Sequence, residues 1–580
     1  MHFRPKDAFI FMHKLYIQTK GEYKVKKKVL AVMLTAALAT TMLFTGCGSS
    51  SKGAKEAGKT TAKSGGTLNV DLPEIKTLDS AQSQDNISAT PIGAAFEGLT
   101  RANNGKMELA AAKECKVSED KKTYTFTLRD LNWTDGKPVT AKDFEYAWKR
   151  LVDPKTKAPY STFINGIVKN AEKISGGKGN PEELGVKAKD DKTLVVTLEK
   201  PVPFFEELTA FTALFPVRRD IVEAQGEKYG SDPTKMVFNG PFVVESWQKG
   251  GKTVLKKNDK YYDAKDVKLD GVVFQDIKEL PTKYQMFSAK QLDSIGATGE
   301  YREKLKMDGE KGKCVFKTAK TPSAFYMIYN MNGKNKLLTN PKIRLALSLA
   351  MDRETYVNKI YKRGFVAYGL IPETIKCIDK DFRAEVPEPL KAVIAEKKDP
   401  KALFVEGLKE LKIDPDPSKY TLNYMSQGAA AFDKQSGEYF QNQWKTKIGV
   451  NVNITQPASF SDYLTKCQSG EFEIAMSGWG ADYNDPSSMT DVFSKSNGNN
   501  HSKYYNAKYE EIIAKANAEL DPAKRLDLFK QAEQLLVVED AGIAPVFYKD
   551  LSSAEQNYVK GIQNPAFGAS MELKWASIEK

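Results

Sequence analysis

The chain is 580 residues long, 41% hydrophobic and 10% aromatic, which exceeds one core and suffices for two or three packed lobes. Of its formal charge of +13, residues 1–46 carry +6, from eight Lys/Arg against two Asp/Glu, and the basic remainder is interspersed with acids. No basic stripe with stacking aromatics stands out, so no nucleic-acid partner is expected, and three histidines in all leave little for metal or acid–base chemistry.

Lys24, Lys26, Lys27 and Lys28 precede an apolar run from Val29 to Phe44 that is too short to span a bilayer comfortably and ends at Thr45-Gly46-Cys47. Residues 25–46 read as a signal peptide. The ending resembles a lipoprotein signal, which implies cleavage before Cys47 and a diacylated Cys47 that holds the chain to the outer face of a cell membrane. Residues 1–24 fit no targeting pattern, and translation is expected to start at Val25, within a 1–46 leader. Residues 47–65, rich in Gly, Ser, Lys and Ala, cannot build a core and read as a flexible tether.

From Gly66 the pattern is globular. Thr67 to Val70 reads as a strand, and Phe96 to Thr100 closes a helix with Gly98 as its left-handed cap. Tyr124, Phe126 and Leu128 alternate with polar residues, the period of a half-buried strand, and Trp133 to Gly136 turns it. Thr140 caps a helix with Asp143 in its first turn and Phe144, Ala147, Trp148 and Leu151 on one face. A second alternating run covers Thr193 to Leu198. Asn340-Pro341 and Asp521-Pro522 each start a helix, with the side chain as N-cap and proline preset at the first position. The order of elements predicts an α/β protein.

The stretch that carries chemistry comes late, at Gly478-Trp479-Gly480-Ala481-Asp482-Tyr483, just after a short apolar strand from Phe472 to Met476. Gly478 and Gly480 leave main-chain donors and acceptors uncovered, Trp479 supplies a flat apolar wall, and Asp482 sets an acceptor-only carboxylate beside that edge. Such an arrangement suits an extended peptide, paired through its backbone and held by its terminal ammonium.

Trp479-x-Ala481-Asp482-Tyr483-x-x-Pro486 resembles the signature loop of oligopeptide-binding proteins of ABC importers, the bacterial extracellular solute-binding protein family 5. Phe96-Glu97-Gly98-Leu99, Trp133-x-Asp135-Gly136, Pro201-Val202-Pro203-Phe204 and Asn239-Gly240-Pro241-Phe242 look like further segments of that family in the family's order. The resemblance covers roughly residues 66 to 550. It implies an α/β, two-lobed periplasmic-binding-protein-like fold with a hinge and a third, smaller subdomain. On that pattern residues 66–103, 217–319 and 550–580 make the first lobe, 104–216 the extra subdomain and 320–549 the second lobe. It also implies a peptide α-amino group on Asp482, with Trp479, Gly478, Gly480, Tyr160 and Asn239 as neighbours of the ligand. A monomer that hands its cargo to membrane permease subunits is the expected partner scheme. A relative in that family carries an arginine three places before the signature tryptophan. Met476 stands there in this chain, from which loose control of peptide length is expected.

No His-Glu-x-x-His, Cys-x-x-Cys or Gly-x-Ser-x-Gly occurs, so the chain reads as a binder without cofactor or metal and not as an enzyme. Only a carboxylate-dependent hydrolase escapes that test, because its acids carry no local motif. Another cargo on the same fold, such as a dipeptide, an oligosaccharide or a signalling peptide, is the nearer alternative. Cys115, Cys314, Cys377 and Cys467 are spaced unlike a disulfide framework and are expected to be buried thiols.

Overall fold

The computed structural model describes residues 65–332, 334–428 and 430–580. The 1–46 leader, Cys47 and the tether up to residue 64 lie outside the described residues.

One sheet of eleven strands runs through the molecule, but it is two half-sheets joined by two long strands, Val315–Tyr329 and Ile543–Glu555. These two pair with each other twice, over Val315 to Lys320 and again over Ala324 to Ile328, with the register broken between Lys320 and Ala324. Pro322 sits in that break, where its missing N–H costs no ladder bond. On one side of the break Ser294–Gly296 flanks the pair, followed by Thr67–Asp71 and Gly271–Gln275; on the other side Ile474–Gly480 flanks it, followed by Thr421–Met425 and Asn451–Thr455. The molecule is therefore mixed α/β, with two sheet halves bridged by two strands.

A separate four-stranded sheet is built from Ala112–Val117, Thr123–Leu128, Thr193–Thr197 and Val186–Ala188. Helix Ala141–Val152 covers it; Thr140 and Asp143 form a capping box at its start, and Phe144, Trp148 and Leu151 are fully buried. This segment has its own sheet but not its own core. Phe126, Trp148 and Leu214 belong to one apolar cluster with Leu68, Val70 and Phe274, and the cluster also takes in Val559, Ile562, Leu573, Ala576 and Ile578. Beyond the break the sheet is sandwiched by two clusters, one around Tyr326, Ala475 and Phe529 and one around Met327, Met476 and Phe547.

Helices start as expected at Asn340, whose side chain accepts from the Lys342 and Ile343 N–H groups, and at Asp521. Gly98 differs from expectation. The helix ends at Ala95, and Gly98 is not among the left-handed residues. A Cβ there would lie 2.4 Å from the Phe215 ring, so this glycine makes room for an aromatic neighbour. Cys115 is half-buried, because its strand is part of the small solvent-facing sheet, whereas Cys314, Cys377 and Cys467 are buried; all four are free thiols.

Candidate functional site

Strand Ile474–Gly480 pairs antiparallel with Val315–Tyr329 along its whole length, from Tyr329 opposite Ile474 to Ser323 opposite Gly480. Among the described residues its other edge is covered only at its start, where Thr421–Met425 pairs at Ile474 and Ala475. The next carbonyl, of Met476, is capped by side chains: Gln427 Nε2 donates to it at 3.0 Å, and the Tyr463 hydroxyl also donates to it. Main-chain groups alternate between the two edges of a strand. The Ala481 N–H donates to the Pro322 carbonyl at 2.8 Å and so faces the long strand, which agrees with Met476 facing away from it. By that alternation the N–H and C=O of Gly478 and Gly480 point to the uncovered edge.

The glycines are needed partly for another reason than the one inferred from sequence. A Cβ at Gly478 would lie 2.7 Å from the Phe325 ring, so the missing side chain is already used by a cross-strand aromatic. At Gly480 only the Ser323 hydroxyl comes close, at 3.0 Å, and the residue is exposed.

Asp482 follows at the end of this edge. Its N–H donates to Ser488 Oγ at 2.8 Å, which turns the loop and leaves the carboxylate free of its own backbone. That carboxylate is half-buried, and burial alone pushes its pKa above the usual range, with no cation or donor among the described residues to offset it. It borders two cavities. One, of about 340 Å³, is shared with Tyr160, Lys200, Phe204, Asp491 and Arg525; the other, of about 540 Å³, with Glu207, Phe211, Lys376 and Phe567. Both bring the second sheet half against the 104–216 segment, and Phe204 stacks on Tyr483 across that junction at 4.6 Å.

A model of bacterial extracellular solute-binding proteins, family 5 Middle, matches residues 106–501. The chain belongs to that family. The oligopeptide-binding protein OppA of Bacillus subtilis is 32% identical over 92% of this chain and 97% of its own length. Among solved structures, Listeria monocytogenes OppA bound to peptide superposes with a TM-score of 0.68 at 30% identity, covering 90% of this chain and all of that one. MppA, a periplasmic murein tripeptide binding protein in its unliganded open form, gives 0.74 at 27% identity over 90% of this chain and 98% of its own. These neighbours make the two-lobed architecture of this family-5 chain plain.

Within the family-5 frame the structure brings Tyr160 to Asp482. Burial first, and the Asp482 charge second, push the Tyr160 hydroxyl pKa up, and its ring meets Phe211 edge-on at 5.4 Å. Trp479 lies on the strand between the two glycines, half-buried against the core of the opposite sheet face, with its indole N–H buried and without an acceptor among the described residues. Asn239 is not brought to the site. It is 2% exposed, and its amide spans Glu97, accepting from the N–H at 3.0 Å and donating to the carbonyl at 3.3 Å.

Sequence reasoning missed the groups that brace the loop from behind. Asp485 forms a two-pronged ion pair with Arg525, both wholly buried, which welds the loop to helix Pro522–Gln534. Asp491, whose two carboxylate oxygens both accept from Asn517 Nδ2, is pushed up to about 6 by burial. Glu207 rises to about 7, again through burial, with Lys376 opposing the shift. None of these lies within a local motif, since each partner is tens of residues away.

Proposed function

We propose that this chain is the peptide-capturing component of an ABC importer, a binding protein and not an enzyme, tied to the outer face of the membrane through acylated Cys47 and delivering its cargo to permease subunits. One observation carries the reading: an uncompensated, half-buried Asp482 carboxylate stands at the end of a strand edge whose main-chain groups are uncovered. A free peptide supplies both missing complements, an ammonium for the carboxylate and a backbone for the edge. Backbone pairing reads no side chain, which gives broad recognition. The relatives named for oligopeptide and tripeptide binding support the same cargo class. Two connecting strands with a register break suit a hinge that closes the halves on the ligand.

The test is a double cycle: wild type and Asp482→Asn, each titrated with one tight-binding peptide in free and N-acetylated form. Removing one member of a buried ion pair costs about 3–5 kcal/mol, roughly two to four decades in affinity, and the amide oxygen of Asn should keep the loss near the lower end. Acetylation is expected to weaken wild type severely and Asp482→Asn little, because both changes delete one contact. Additive losses would leave Asp482 as a loop residue and overturn the site. For the membrane tie, Cys47→Ser is expected to release the protein into the medium or periplasm; retention of that variant on membranes would refute acylation.

A further inference from the structure

Residues 200–208 present two faces. Val202, Phe205 and Leu208, three apart, are buried in the first apolar cluster, while Lys200, Phe204 and Glu207 line the cavities towards the second sheet half. Phe204 lies flat on Tyr483, the ring planes only 8° apart. On each side of that stack a charge faces its opposite across a cavity: Lys200 towards Asp491 in the one of about 340 Å³, and Glu207 towards Lys376 in the one of about 540 Å³.

The Glu207 side meets the loop that carries Asp482. Asn484 accepts the Lys376 N–H on its Oδ1 at 2.9 Å, and its side chain adjoins the Glu207 carboxylate. The Lys376 ammonium donates to the Gly105 carbonyl of the 104–216 segment at 3.4 Å, so it opposes the Glu207 charge from across the cavity without docking on it. Most other charges on this side are already matched: Arg101 by Glu97 and Glu572, Lys320 by Glu373, and Asp485, which adds a repulsion on Glu207, by Arg525. Lys106 and Asp482 on the cavity wall and Glu206 on the same short helix, Phe205–Leu208, complete the set that faces Glu207. Burial outweighs Lys376, so Glu207 titrates at about 7 with the junction shut, against 4.5 for a glutamate in water. The shut junction therefore holds the Glu207 proton more tightly than an open one; shutting is favoured fully below about pH 4.5, and that advantage is lost as pH rises through about 7.

We propose that Glu207 is a proton-operated latch between the 104–216 segment and the Asp482 loop, protonated while the junction is shut and ionised when it parts. Ionisation leaves a carboxylate in a cavity that offers it, among the described residues, no cation in salt-bridge contact, and parting the junction returns that charge to water. The latch acts in the protein without peptide, so it stands or falls apart from the peptide reading of Asp482. A carboxyl group that moves from 4.5 to about 7 on shutting loosens the junction by more than about tenfold between pH 5 and pH 8.

Pulsed electron–electron double resonance on peptide-free Cys47→Ser/Cys115→Ser protein tests it, with spin labels at Lys187→Cys on the 104–216 segment and Ala514→Cys on the second half, both exposed positions. The expected result is one short distance at pH 5 and a long-distance population that grows towards pH 8, the ratio of the two changing by at least about tenfold. Glu207→Gln, neutral at every pH, is expected to keep the pH 5 distribution at pH 8, whereas Glu206→Gln, one residue away and exposed, should respond as the unsubstituted protein does. Urea titrations of each variant at both pH values keep opening distinct from unfolding. Equal distributions at pH 5 and pH 8, opening at the acid end instead, or a full pH response in folded Glu207→Gln would each overturn the latch.

Discussion

Asp482 and Asp485 belong to one loop, three residues apart, and their surroundings are opposite. Asp485 is wholly buried and matched by Arg525, with which it makes two hydrogen bonds. Asp482 keeps part of its surface, faces two cavities and, among the described residues, meets no cation. The first carboxylate is a structural weld whose charge is cancelled within the fold; the second is a charge held partly out of water with only burial acting on it. A fold tolerates such a group when the partner arrives from outside, and the neighbouring weld keeps the loop from collapsing to bury the charge some other way.

Breaking the weld should give the largest effect on stability. Asp485→Asn leaves Arg525 charged and buried, and is expected to cost about 3–5 kcal/mol in urea denaturation, whereas Asp485→Leu combined with Arg525→Met should recover most of that loss. Asp482→Asn is the sharpening control: stability is expected to hold or rise slightly, since it removes a desolvated charge, while peptide affinity falls. A large stability loss in Asp482→Asn would erase the contrast between the two aspartates.

Next in size is a pH effect of opposite sign on folding and on binding. Burial raises Asp482 and brings Asp491 up to about 6, against about 3.9 for an unfolded aspartate. The folded protein therefore keeps protons that the unfolded chain has released, so stability is highest below about pH 4 on this account and declines as pH rises towards 6. Lys200, Arg525 and Asp485 face Asp491 and are included in that balance. Asp491→Asn should flatten the decline. Affinity for a free-amine peptide should run the other way and strengthen as Asp482 ionises. Urea titrations and calorimetry across pH 4 to 7 read the two trends separately. The smallest effect is expected from Phe204→Leu, which keeps an apolar side chain but removes the stack on Tyr483, at about 0.5–1.5 kcal/mol in thermal melts.

How much of this was legible beforehand depends on whether the cause was local. The caps at Thr140, Asn340 and Asp521 were readable because the capping side chain and the backbone N–H it accepts from lie within three residues. The uncovered edge at Gly478 and Gly480 was readable as a pair of glycines after an apolar strand, although Phe325 supplies half of the reason and lies on a strand about 150 residues earlier. At Asn239, an asparagine before Gly240 gives no local sign that the Glu97 backbone will occupy its amide. The Asp485–Arg525 pair had no local signal, since its members stand 40 residues apart, one in the loop and one on helix Pro522–Gln534.

The first sheet half encloses residues from both sides of a long excursion. Leu68 and Val70 share their core with Ile562, Leu573, Ala576 and Ile578, and Val559–Lys560 pairs with Ser577–Ile578 beneath them. During synthesis the intervening residues, which hold two clusters of their own, can condense before that core has its last pieces. The half that emerges first is thus completed last. Its folding must close a loop of nearly five hundred residues, so renaturation from denaturant should be biphasic, with the segment around 320–549 gaining protection from hydrogen exchange before strand Thr67–Asp71 does.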